Sequence, residues 1–163
     1  MSAPSQPGFT WRIPVNLLIR GWLLAGTLDI TAAIIQTWIA GGSITRLMQY
    51  IASGAFGAAA FEGGMAYAVL GLAFHYVIAF GWSFLFLLIY PKLSFAPQHR
   101  LLTGIGYGAF VWFMMNRIVL PLSNIAMRPF DPVRALIAAT VLMVAIGIPL
   151  SFVASGYYSK RNA

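Results

Sequence analysis

Gly64 to Tyr90 reads GMAYAVLGLAFHYVIAFGWSFLFLLIY, and this stretch decides the fold. Its single strongly polar, titratable side chain is His75, near the middle. About 20 apolar residues suffice for a helix to cross the hydrocarbon core of a bilayer. This run is longer, so it predicts a spanning helix with some tilt or overhang.

The rest of the chain agrees with that solvent. Of its 163 residues, 60% are hydrophobic and 8% charged, and the mean hydropathy is +0.82. A soluble domain carries roughly a quarter charged residues, and one this apolar would lack the polar surface to stay in solution. The expectation is all-α: one polytopic unit of four transmembrane helices with one short interfacial amphipathic helix.

The net charge is +7, from ten Lys or Arg against three acids. The basic residues stand singly at the ends of apolar segments, so contact with anionic lipid headgroups explains them better than nucleic-acid binding. Without cysteine, the chain has no disulfide, thiol redox chemistry or thiolate metal site.

Residues 1–16 read as a flexible N-terminal segment, Pro/Ser/Gly-rich at its start and without the basic region of a signal peptide. Trp11 and Arg12 suit an interfacial anchor. The first span covers about residues 17–40 and holds Asp29 near its centre. Gly41-Gly42 breaks it, and Ser43 can cap a helix over 43–55. There Ile44, Leu47, Met48, Ile51 and Ala55 share one side, with Thr45, Arg46, Gln49 and Ser53 on the other, a periodicity that suits the headgroup plane. The second span covers about 64–90 and stops at Tyr90-Pro91-Lys92. A polar turn, PKLSFAPQHR, leads to the third, about 101–120, closed by Pro121. Asp131-Pro132 makes a helix start, an acid at the cap and proline in the first turn. The fourth span, about 133–158, is kinked at Pro149, and 159–163 is a basic tail.

Four spans put both termini on one side, with Arg12, Arg20, Lys92, Arg100, Lys160 and Arg161. Arg46, Arg128, Arg134, Glu62 and Asp131 fall on the other side. The positive-inside rule then places both termini in the cytoplasm. Trp11, Arg12, Lys92, Arg100, Lys160 and Arg161 are the expected interface anchors.

Polar side chains at bilayer depth are the candidate functional residues, because each costs free energy unless paired. At 1.5 Å per residue, Asp29 lies roughly 18 Å, and His75 and Asn116 roughly 22 Å, from the cytoplasmic ends of their helices, with Arg117 one residue further out. Asp29 shares a side with Ala25, Gly26, Ala32, Ala33 and Gln36. His75 shares one with Gly64, Ala68, Gly71, Ala79 and Ser83. Small residues at such spacing let helices approach closely, so Gly26, Gly71, Gly104 and Gly108 are expected at packing contacts and Asp29 close to His75. Such a cluster either holds the helices in register or handles protons, since histidine titrates near neutrality.

Other chemistries find little footing. A bis-histidine haem needs a second imidazole at depth, and His99 falls in the polar turn. No second histidine or acid pair has metal-ligand spacing, and Gly104-Ile-Gly-Tyr-Gly108 follows no strand, so it is no dinucleotide fingerprint. The sequence carries no nucleophile triad or phosphate-cradling loop, and no catalytic, cofactor or metal residue is assigned.

Two stretches carry a family resemblance. One is His75 leading into Tyr90-Pro91-Lys92-Leu93; the other is Met115-Asn116-Arg117-Ile118-Val119-Leu120-Pro121-Leu122-Ser123. With a Gly- and Pro-bearing last span, about residues 20–158 resemble the uncharacterised bacterial YagU-like inner-membrane proteins. The resemblance implies a multi-pass protein of the bacterial cytoplasmic membrane, loosely associated with acid tolerance. Members often carry further histidines in later spans; here the third and fourth have none. The resulting expectation is a non-enzymatic accessory or scaffolding subunit, or a homo-oligomer. The alternative is a proton-coupled transporter or channel using Asp29 and His75. Expected partners are lipid, including anionic lipid, and other membrane subunits or further copies.

Overall fold

A computed structural model describes residues 13–93, 96, 98–126 and 129–161, with residues 160 and 161 described by their backbone only. Among them the secondary structure is helical throughout. Four helices are long and apolar enough to cross a membrane: Val15–Ile39, Gly64–Lys92, Arg100–Leu122 and Pro132–Ser159. The chain is thus a small all-α, multi-pass membrane protein. Trp11 and Arg12 lie outside the described residues, as do the side chains of Lys160 and Arg161.

Helix α1 (Val15–Ile39) ends where Gly41 takes φ +69°. The Gly42 N–H returns to Thr37 O at 2.8 Å and the Gly41 N–H to Trp38 O at 3.0 Å. This pair of bonds satisfies two of the carbonyls that a helix end leaves open, and it needs the left-handed residue that glycine supplies. Helix α2 (Ile44–Phe56) starts under Ser43, whose Oγ accepts from the Arg46 N–H at 3.4 Å. Its far end is closed from a distance: Asn124 donates its backbone N–H to Gly54 O and its side-chain amide to Ala55 O.

Gln49 and Ser53, on the expected polar side of α2, are in fact buried. Gln49 donates to Gly64 O at 3.0 Å and Ser53 to Tyr50 O at 2.7 Å, so neither goes in with its hydrogen bonds unmet. The helix wedges against α3 (Gly64–Ile89). At Gly71 a Cβ would stand 1.9 Å from Met48 O, so only glycine admits that backbone. Ile30, Met48 and Ala68 form a small apolar cluster there.

Helix α3 buries Ala68, Gly71, His75, Ala79, Ser83, Phe86 and Leu87, a stripe at helical spacing. Val69, Val77, Phe80 and Phe84 point outward. In water such exposure would be a liability, but in lipid it is the outer surface. A 3-10 turn, Tyr90–Lys92, ends the span at Pro91.

The last two spans each contain a π-helical turn. Helix α4 (Arg100–Leu122) loosens at Met115–Val119. Helix α5 (Pro132–Ser159) starts under Asp131, whose Oδ1 accepts from Val133 and Arg134, and loosens at Met143–Gly147, just before Pro149. Proline lacks an N–H and crowds the preceding turn, and one wider turn takes up both effects. Gly104 and Gly108 meet the π turn of α5 backbone to backbone; a Cβ on Gly147 would lie 1.9 Å from Gly104 O.

Around the bundle the order is α3, α1, α5, α4. The main core, with Phe86, Leu87, Val111 and Leu150 at its centre, lies where these four converge. The backbones of α3 and α4 hardly approach each other. Side chains bridge them instead, among them Tyr107, whose Oη donates to Trp82 O at 2.6 Å.

Candidate functional site

The α1–α3 interface carries the candidate site. Gly26 brings the helices together: a Cβ there would come within 3.2 Å of Ala79 Cβ and of the Tyr76 ring. That approach lets His75 reach across. Its Nε2 lies 2.8 Å from Gly26 O. A carbonyl can only accept, so Nε2 carries the hydrogen and donates. The tautomer is then set by geometry, and Nδ1 is left facing Asp29, with Oδ2 at 4.0 Å. His75 is 9% exposed and the Asp29 side chain 22%.

Three further groups belong to this seam and were not singled out from the sequence. Trp22 Nε1 donates to Tyr76 O at 2.7 Å, and Thr27 Oγ1 and Tyr76 Oη share a hydrogen bond of 3.0 Å. Trp22 also sets its ring edge-on to Phe80, centroids 5.4 Å apart. The spacing of Trp22, Gly26 and Asp29 along one helix side was the available signal. Trp22 and Tyr76 pass as interface aromatics until their partners are known.

The expected four-residue layer divides. Asp29 and His75 face each other. Asn116, in the π turn of α4, donates to Trp112 O of its own helix at 2.9 Å. Arg117 is exposed beside it. Of the four glycines, Gly26 seats α3 against α1, Gly71 receives α2, and Gly104 and Gly108 receive α5. Ser83 Oγ is fully buried and meets no partner among the described residues, so it adds cost and not a contact.

Two other polar contacts tie the bundle. Trp82 Nε1 donates to Met115 Sδ at 3.4 Å, joining α3 to α4. Ser151 Oγ donates to Arg100 O at 2.6 Å, and the Arg100 guanidinium lies 4.5 Å from the Phe152 ring centre, joining α4 to α5. Lys92 is exposed at the turn after α3. Among the described residues, no three metal-ligating side chains converge.

The Asp29–His75 pair can do two things. One proton between Nδ1 and Oδ2 leaves it with no net charge, either as acid and imidazole or as carboxylate and imidazolium. At 4.0 Å the two atoms are beyond hydrogen-bond range, so a shift of about 1 Å separates a gap from a shared proton. Comparison with models of known families, with curated proteins and with solved structures returned no match.

Proposed function

We propose that this chain is a non-enzymatic subunit of a membrane assembly, joined to other membrane proteins or to copies of itself. One observation carries this reading. The polar side chains at bilayer depth are largely spent on bonds within and between the chain's own helices, as Trp22, His75, Tyr107 and Ser151 are. A bundle bonded in this way is a rigid block with an apolar exterior, suited to packing beside another membrane protein. The assembly sits in the bacterial cytoplasmic membrane with both termini inside. The family proposed for it is that of the YagU-like proteins.

The test is the native mass after gentle extraction from the host membrane. A mass well above one 17.7 kDa chain, with defined protein partners or an integral number of copies, is the expected outcome. A single chain carrying only lipid would overturn the reading.

A second reading has its own support in the 4.0 Å approach of Asp29 to His75. There the pair relays protons in a transporter or channel, and four short spans would need an oligomer to enclose the path from lipid. It predicts pH-driven flux in liposomes that falls at least about tenfold in Asp29→Asn, as for a general acid–base group. Flux that survives the substitution would remove this reading.

A further inference from the structure

We propose that a second copy of this chain docks on the exposed sides of α3 and α4, with Glu62 of each copy meeting Arg117 of the other. The inference rests on the assembly reading above and names the partner.

The first observation is the balance of charge at the end of the bundle where α3 begins and α4 ends. Among the described residues this end holds Arg46, Glu62, Arg117, Asp131 and Arg134; Arg128 lies outside them. Arg134 pairs with Asp131 at 3.2 Å, and Arg46 lies 5.7 Å from the Phe61 ring centre. Glu62 and Arg117 remain. Both are exposed, and neither side chain has an ion pair or hydrogen bond among the described residues. One carboxylate and one guanidinium are left over, the pair of groups that bond each other most strongly.

The second observation is where they stand. Helices α3 and α4 are neighbours in the ring. Glu62 sits just beyond Gly64, where α3 begins. Arg117 tops an outward stripe of α4 that holds Gly106, Phe110 and Phe113, roughly 8 Å inside the helix end at Leu122. A guanidinium at that depth is costly in hydrocarbon without a counter-charge or water. An arginine can extend toward the rim, which is the level of Glu62.

The third observation is a pair of glycines on the exposed sides of the same two helices. A Cβ on Gly81 of α3 or on Gly106 of α4 would meet nothing within 4 Å. Packing within the chain therefore gives no reason for either. Counted from the ends of α3 and α4 on this side, both lie roughly 25 Å down. A two-fold axis along the membrane normal keeps every residue at its own depth. Run through this face, it sets α3 of one copy against α4 of the other. It then matches Gly81 with Gly106, where small residues let helices close up, and Glu62 with Arg117, twice over. A different protein would have to supply both signs at the right depth; a second copy already carries them.

The experiment uses the full chain in liposomes, with the dimer fraction counted by single-molecule photobleaching over a range of protein-to-lipid ratios. Wild type should dimerise. E62R and R117E each set like charges together at two contacts and should weaken dimerisation at least about tenfold, the loss of two polar contacts between membrane helices at once. The double reversal E62R/R117E exchanges the signs and should restore it. A second readout needs no charge variant to fold. Copies carrying Gly81→Cys, mixed with copies carrying Gly106→Cys, should cross-link to each other on oxidation, since the chain has no other cysteine. Single variants that dimerise like wild type, a folded double variant no better than the singles, or absence of that cross-link would overturn the proposal. If natively extracted protein then still carries defined partners, the assembly reading stands without this interface; a lone chain in both settings would remove both.

Discussion

At the residue scale, the exchange between His75, Gly26 and Asp29 is the most consequential contact. The imidazole is held by a carbonyl on one side and faces a carboxylate on the other. Replacing it by glutamine removes both relations at once. Coupling between polar side chains in membrane helices averages about 0.6 kcal/mol and reaches about 1.7 kcal/mol. A double-mutant cycle of Asp29→Asn and His75→Gln, read by reversible unfolding in mixed micelles, should therefore give a coupling of about 0.5–1.5 kcal/mol. A value indistinguishable from zero would mean that the two side chains are neighbours without an energetic relation. The same cycle with Asn116→Ala in place of Asp29→Asn should be additive, because Asn116 bonds to its own helix.

At the scale of elements, glycine decides which helices can meet. Gly147 and Gly104 put two backbones in contact, and a single methyl on Gly147 would land 1.9 Å from a carbonyl oxygen. Gly147→Ala should thus cost about 1–3 kcal/mol through overpacking, read as a lower unfolding midpoint in detergent. Gly81, by contrast, faces open space on α3. Gly81→Ala should be neutral or stabilise by up to about 1 kcal/mol, since alanine loses less backbone entropy in a helix. If both substitutions behaved alike, close backbone packing between α4 and α5 would not be what holds them. The two π turns belong to this scale as well. Each is followed, one residue on, by a proline, Pro121 in α4 and Pro149 in α5, and the first holds Asn116 and Arg117.

At the scale of the whole molecule, the charges sort by end. Lys92 and Arg100 share one end of the bundle, with the described termini of α1 and α5. Arg46, Glu62, Asp131 and Arg134 share the other. Arg46 there stands 5.7 Å from the Phe61 ring centre, and Arg134 pairs with Asp131 at 3.2 Å. The chain has no cysteine, so single cysteines report cleanly on sidedness. In intact cells, a membrane-impermeant thiol reagent should label Glu62→Cys and leave Gln98→Cys unlabelled until lysis. The reverse pattern would invert the topology.

The sequence by itself determined the class of fold and the extent of the four spans. Hydropathy is a local property, and a run such as Gly64–Tyr90 has only one solvent in which it is stable. It also determined the helix ends, since Gly41-Gly42 and Pro91 act through their own backbones and Asp131 caps the helix that starts at Pro132 with its own side chain. It put Asp29 and His75 at similar depth, because depth is a count of residues. What it could not determine was azimuth and partner. Only the tertiary structure turned Asn116 back onto Trp112, gave Gly71 to α2 in place of α1, buried Gln49 and Ser53, and recruited Trp22, Thr27 and Tyr76 to the seam. Each of these depends on which helix stands beside which, and on a π turn that rotates the residues beyond it. In lipid, where no hydrophobic force drives helices together, that choice rests on backbone fit and on polar side chains finding acceptors across the interface.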